Sequence, residues 1–232
     1  MAQMIPENAE SFATGGEERV YKFLETVAKP DSQYLSWYTP DIEDREPDFI
    51  LFSNATGLIV LEVKDWNFSQ IKEATPHGFT VLKGANLERN PNPLRQARGY
   101  MHALINRFKK DGTFVRKLPQ DNRRHRIPIE CGVVFPNIRK REYENSAVND
   151  VIPAEKVFFW DDLQSTSEIC SDSSGECFLK TLLDKYPPRF KCAFLTQYDL
   201  DRLRYLLYPE FNRLDDVRRS DSDDYFRKAT RG

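Results

Sequence analysis

The chain has 232 residues, room for one large domain or one domain with an appendage. Apolar residues make up 40% and charged ones 30%, enough to build a core beneath a polar surface. With 34 basic and 36 acidic side chains the net charge is −2, so overall charge makes no case for a nucleic-acid partner, and the lack of a long apolar run argues against a membrane helix.

A first helix is predicted from about Gly16 to Val27, where Val20, Phe23, Leu24 and Val27 fall on one stripe. A strand around Tyr34–Tyr38 precedes an acidic loop from Asp41 to Glu46. Between Pro47 and Lys64 two apolar runs flank Ser53-Asn54-Ala55-Thr56-Gly57, the pattern of a β-hairpin. Strands are expected near Ser69–Glu73 and Phe79–Lys83. Pro91 or Pro93 then starts a long helix to about Phe108, with Leu94, Ala97, Met101, Leu104, Ile105 and Phe108 buried. Further strands are expected at Ile129–Phe135 and Val157–Trp160, the latter leading into an Asp161-Asp162 helix cap. Helices near Glu176–Tyr186 and Gln197–Tyr208 close the fold. The polar segment 213–232 reads as a disordered tail after a domain spanning 1–212.

The hairpin concentrates the chemistry. A loop of Asn54 to Thr56 pairs Ser53 with Gly57 and therefore sets Asp48 opposite Glu62. Side chains alternate along a strand, so Glu62 and Lys64 share a face. Leu58 to Leu61 are apolar on both faces, which marks a central strand. Charged groups ending such a strand are costly without partners, and this points to a site. Pro-Asp recurs at Pro30, Pro40 and Pro47, but only the third leads directly into an apolar strand. Glu62-Val63-Lys64 is the one place where an acidic residue precedes a lysine by two.

Cys131, Cys170, Cys177 and Cys192 lack the paired short spacings of a zinc site, and His77, His102 and His125 are scattered. Free thiols in a reducing cytoplasm, and a structural His102, are the expectation. Trp37 reads as core, whereas Trp66 fits either core packing or base stacking. Basic residues cluster from Arg107 through Lys109, Lys110, Arg116, Lys117, Arg123 and Arg124 to Arg126, with a second knot at Arg139-Lys140-Arg141. They fit either phosphate contacts or a solvated surface.

Taken together, these residues resemble the PD-(D/E)XK nucleases, and within them the nuclease-related domain, NERD. Gly16-Glu17-Glu18-Arg19-Val20-Tyr21 is similar to its opening helix, and Asn92-Pro93-Leu94-Arg95-Gln96 to its Asn-Pro-x-x-Gln signature. Gln96-Ala97-Arg98-Gly99-Tyr100 also fits the Gln-x-x-x-Tyr motif of RecB-type nucleases. The resemblance runs in order over roughly residues 5 to 210.

It implies an α/β, restriction-endonuclease-like core, a central mixed β-sheet flanked by helices, with a C-terminal helical extension. It further implies a metal-dependent deoxyribonuclease of DNA repair or defence, located in the cytoplasm. Asp48, Glu62 and the Val63 carbonyl would hold Mg²⁺, with Mn²⁺ substituting. Lys64 would assist water attack, and Glu17 and Gln96 would complete the catalytic set. Tyr100, Arg95, Arg107, Lys109, Lys110, Arg123 and Arg124 would contact single- or double-stranded DNA. The opening Met4-Ile5-Pro6 and the segment Leu206–Glu210 resemble versions joined to superfamily 1 helicases. A helicase motor in the same or a partner chain is therefore an implied partner, although no Walker A loop is present. The alternative is a non-catalytic or regulatory module that binds nucleic acid or a partner.

Overall fold

The structure is a computed structural model that describes residues 2–117 and 123–208; the side chains of Arg116, Lys117, Arg123 and Arg124 and the predicted tail, 213–232, lie outside the described part. In chain order the elements begin with β1 (Gln3–Ile5), α1 (Gly15–Val27), β2 (Tyr34–Tyr38), β3 (Phe49–Ser53) and β4 (Gly57–Val63). Next come β5 (Ile71–Ala74), β6 (Gly78–Lys83), β7 (Asn86–Pro91) and α2 (Pro93–Asp111). The short strands β8 (Val115–Lys117) and β9 (Arg123–His125) precede β10 (Ile129–Phe135), α3 (Lys140–Glu144) and β11 (Val157–Phe159). Three helices, α4 (Glu168–Ser171), α5 (Glu176–Lys185) and α6 (Gln197–Leu207), follow.

Six strands form one mixed sheet in the order β1-β2-β3-β4-β10-β11. The β2-β3-β4 meander is antiparallel, while β1, β10 and β11 join in parallel. Every residue of β4 and β10 is buried, as expected for strands covered on both faces.

The two faces carry separate cores. Leu58 and Val60 of β4 pack with Ile50, Val133 and the Leu94, Ala97, Met101, Leu104 and Phe108 stripe of α2, together with Leu203 and Leu207 of α6. Ile59, Leu61 and Val63 pack on the other side with Val20, Leu24 and Val27 of α1 and Phe178 and Leu182 of α5. This alternation assigns the face of every neighbour: Glu62 and Lys64 point toward α2. A mixed sheet with helices on both faces is the architecture expected from the sequence.

The helix ends follow their sequences. Thr14 caps α1 by accepting from Glu17 N at 3.2 Å. Asn92 caps α2 through bonds from Leu94 N and Arg95 N, Pro93 occupies its first turn, and Gly112 ends it at φ 78°.

Some expectations are corrected. The strand expected from Ser69 begins at Ile71, because Phe68–Gln70 form a 3-10 turn closed by Asn67 N donating to Gln70 Oε1 at 2.7 Å. The strand β7 pairs residue for residue with β6, although Asn86-Leu87-Glu88-Arg89-Asn90-Pro91 shows no apolar alternation. Asp161 and Asp162 lie in a 3-10 turn, Trp160–Leu163, where an α-helix was expected. Trp37 is fully buried, as its core assignment requires. Among the described residues no helix is long and apolar enough to cross a membrane.

Candidate active site

The β3-β4 hairpin has the register that its loop length dictates. Ser53 pairs with Gly57, Ile50 with Val60 and Phe49 with Leu61, so the next step outward places Asp48 across from Glu62. The turn is locked by a 2.7 Å bond between the Ser53 and Thr56 hydroxyls. Gly57 sits at φ +79°, and a Cβ there would lie 2.2 Å from the Pro128 carbonyl oxygen. Asp48 Oδ2 accepts a hydrogen bond from Val63 N at 2.6 Å, which ties the acid to the end of β4. Two residues apart on one face, Lys64 Nζ donates to Glu62 Oε1 at 2.5 Å. The three groups thus come together at one sheet end.

Their electrostatics are unbalanced. Glu62 is 1% exposed, and its Oε2 has no hydrogen-bond partner. Burial, followed by the charge of Glu62, pushes the Asp48 carboxyl up to about 7, and the Val63 N–H and Lys64 only partly offset this. Burial likewise raises Glu62, against the opposing charge and hydrogen bond of Lys64. Two buried carboxylates share one ammonium, so the site lacks positive charge.

Glu17 reaches the same end of the sheet from α1. Its Oε2 accepts from Tyr38 OH at 2.7 Å, and its Oε1 accepts from Thr14 Oγ1 at 3.1 Å. Glu17 is buried, and its charge raises both Asp48 and Glu62. Its neighbour Glu18 faces outward and pairs with Lys22 at 2.5 Å. Burial, then the bond to Glu17, lifts the Tyr38 phenol to about 12.

The Gly-Glu pair has a steric cause. A Cβ on Gly16 would lie 2.8 Å from both Asp65 Oδ1 and Pro136 Cγ, so only glycine lets α1 start this close to the ends of β4 and β10. Arg19 secures that approach with bonds to the Pro136 carbonyl at 3.1 Å and to Asp65 at 3.3 Å. Asn137 Nδ2 also donates to Asp65 Oδ1 at 2.5 Å. Sequence reasoning missed this clamp, because nothing local links residues 19, 65 and 137. The Thr14 cap went unread too, although Thr-x-x-Glu ahead of an apolar stripe is a local helix-start signal.

On α2, Gln96 Nε2 donates to Tyr100 OH at 2.9 Å, one turn apart. Burial, then the charges of Glu62 and Asp48, raises the Tyr100 phenol, which places this pair within electrostatic reach of the acids. Arg95 turns elsewhere, to His77 Nδ1 at 2.9 Å. Arg107, Lys109 and Lys110 lie toward the other end of α2, about 17–21 Å from Gln96 at 1.5 Å per residue. Lys110 pairs with Glu43 at 2.5 Å, and Arg107 is half-buried. The structure does not gather that cluster with the acids. His102, expected to be structural, is instead exposed and lines a separate cavity.

A cavity of about 380 Å³ opens over the site, lined by Glu17, Asp48, Lys64 and, from the three-stranded sheet β5-β6-β7, Lys83 and Glu88. Trp66 lines it too and packs on Phe79 and Phe135, with ring centroids 5.8 and 6.2 Å away. Among the described residues no group of three or more His, Cys, Asp or Glu forms a metal cluster. The oxygens that could hold a hard divalent cation are those of Asp48 and Glu62. The orphaned Glu62 Oε2 and the upward shift of both acids are what such a pair shows when it needs positive charge.

No curated protein and no solved structure matches the chain. Residues 13–136, just over half of its 232 residues, match the nuclease-related domain family, NERD. That span contains α1, the hairpin, the β5-β6-β7 sheet, α2 and β10, and with them Glu17, Asp48, Glu62, Lys64, Gln96 and Tyr100. The chain belongs to the nuclease-related domain family.

Proposed function

We propose that this chain hydrolyses DNA phosphodiester bonds, with Mg²⁺ held by Asp48, Glu62 and the Val63 carbonyl and with Mn²⁺ able to substitute. One observation carries this reading. Glu62 Oε2 is buried without a partner, beside an Asp48 carboxyl raised to about 7. When bound, the cation would act as a Lewis acid toward the phosphate and lower the pKa of a coordinated water.

The chain's own groups supply the rest. Lys64 carries a positive charge on the face of the acids, where it orients the attacking water and stabilises charge growing on the phosphate oxygens. Glu17, held by Thr14 and Tyr38, presents a fixed negative charge that can take up a water hydrogen bond. Tyr100 accepts from Gln96, which frees its own proton to donate to a phosphate oxygen. Lys64 and Lys83 favour the approach of a polyanion to a cavity whose other charged lining residues, Glu17, Asp48, Asp65 and Glu88, are acidic.

The test is cleavage of labelled single- and double-stranded DNA with Mg²⁺ or Mn²⁺, wild type beside Lys64→Ala. Metal-dependent cutting that the substitution reduces by at least about a hundredfold supports the reading, since losing one transition-state charge contact has that scale. A fully active Lys64→Ala removes Lys64 from the mechanism. DNA binding without cutting by the wild type would instead identify a nucleic-acid-binding module.

A further inference from the structure

A second cavity, of about 520 Å³, lies beside α2 on a neighbouring flank of the helix. Arg95, Arg98 and His102 line it from one helix face at i, i+3 and i+7, and His77 closes it from the turn before β6. Two of the three histidines in the chain are therefore here, with two arginines. No acidic side chain lines the cavity, and among the described residues no carboxylate pairs with Arg95 or Arg98.

The hydrogen-bonding pattern sets what this cavity can hold. Arg95 Nη1 is always a donor, so its 2.9 Å contact makes His77 Nδ1 the acceptor and leaves the proton on His77 Nε2. Arg95 keeps its other N–H groups free of any carboxylate. Arg98 is exposed, and among the described residues it makes no ion pair, so its guanidinium is open to a ligand. Asn92, which caps α2, also lines the cavity, so the positive end of the helix dipole faces it. Such a donor-rich, acceptor-poor hollow repels cations and suits a tetrahedral oxyanion that takes bidentate arginine bonds.

Its position identifies the oxyanion. Tyr100, one turn beyond Gln96, feels the charges of Glu62 and Asp48, and Arg95 immediately precedes Gln96 on the same turn of α2. The cavity and the carboxylate site therefore lie on different flanks of one helix, about 10 Å across. We propose that this cavity binds an internal backbone phosphate of the DNA strand, a close neighbour of the scissile one, through Arg95, Arg98, His77 and His102. This inference rests on the nuclease reading. It explains why Arg95 turns away from the acids: the residue grips the substrate beside the reaction.

The experiment measures binding of a fluorescein-labelled twelve-nucleotide single strand by anisotropy over a salt series. The host is Lys64→Ala, so that the strand survives, with and without Arg95→Ala and Arg98→Ala together. Both arginines are exposed, and equal thermal melts establish that the fold is kept. The double substitution should weaken binding about tenfold and lower the slope of log K against log salt by about 0.7, the value for one phosphate on a single strand. Equal affinity and equal slope would overturn the phosphate site and leave the nuclease reading standing. Failure of the Lys64→Ala host to bind DNA, together with no cleavage by the wild type, would take both down.

Discussion

Asp48→Asn removes one of two buried, mutually repelling carboxylates and keeps the local geometry. The asparagine carbonyl can still accept from Val63 N, as Asp48 Oδ2 does at 2.6 Å, and its amide can donate toward Glu62. In wild type the Asp48 carboxyl is raised from 3.8 to about 7. A folded-state pKa above the unfolded one favours the fold at low pH. That contribution is complete below the unfolded value and is lost as pH rises through the folded one. At 1.36 kcal/mol per unit the full shift corresponds to about 4 kcal/mol, and partial solvent contact and proton sharing with Glu62 reduce this to about 2 kcal/mol. For a chain of this size that is about 4–8 °C in Tm. In metal-free buffer Asp48→Asn should therefore melt close to wild type at pH 3.5, below the unfolded value, and several degrees above it at pH 8. Adding 10 mM Mg²⁺ at pH 8 should raise the wild-type Tm and leave the variant nearly unmoved. Scanning calorimetry across pH, with and without Mg²⁺, reads both effects. A variant that melts below wild type at pH 8, or that keeps the full Mg²⁺ shift, would refute the account of a charge-starved carboxylate pair.

The opening helix gives two more tests. Gly16→Ala forces a Cβ to within 2.8 Å of Asp65 Oδ1 and Pro136 Cγ, and should cost about 1–3 kcal/mol in urea melts. Gly15→Ala, where no atom lies within 4 Å, serves as the neutral control. Equal effects at the two positions would show that the close approach at Gly16 does not limit where α1 starts, since Ala improves helix propensity at both. Tyr38→Phe deprives Glu17 Oε2 of its 2.7 Å donor and Ala13 N of its 3.3 Å acceptor. It should destabilise the fold by about 1–3 kcal/mol and reduce cleavage, and unchanged melting with unchanged rate would dissociate Glu17 from the site.

What the sequence disclosed depended on how local the determinants were. The Asp48–Glu62 pairing follows from loop length and strand parity alone, both properties of eighteen consecutive residues. Gln96 and Tyr100 needed only helical periodicity. The β7 strand was illegible, because its polar residues form an exposed edge held by pairing with β6 and carry no alternation. The Arg19–Asp65–Asn137 clamp joins three segments that only the folded sheet brings together. His102 was misread for a related reason: nearness to an apolar stripe does not say on which side of it the imidazole falls. A histidine one step around the helix opened onto a cavity whose other wall is His77.

The division of the core between the two sheet faces has a consequence for where this domain can be cut. Every catalytic candidate precedes Pro136, the last residue of the family match, so a fragment ending there looks self-sufficient on paper. It would nevertheless leave β10 as a raw sheet edge in place of β11, and would strip α6 from one face and α5 from the other. It would also orphan Arg126, whose guanidinium grips Asp199 of α6 through two bonds at 3.0 and 3.2 Å. Such an apolar edge invites strand addition from another copy and hence aggregation. The segment that is recognisable as a lineage is smaller than the packed core, and transplanting this site means carrying the chain through to α6.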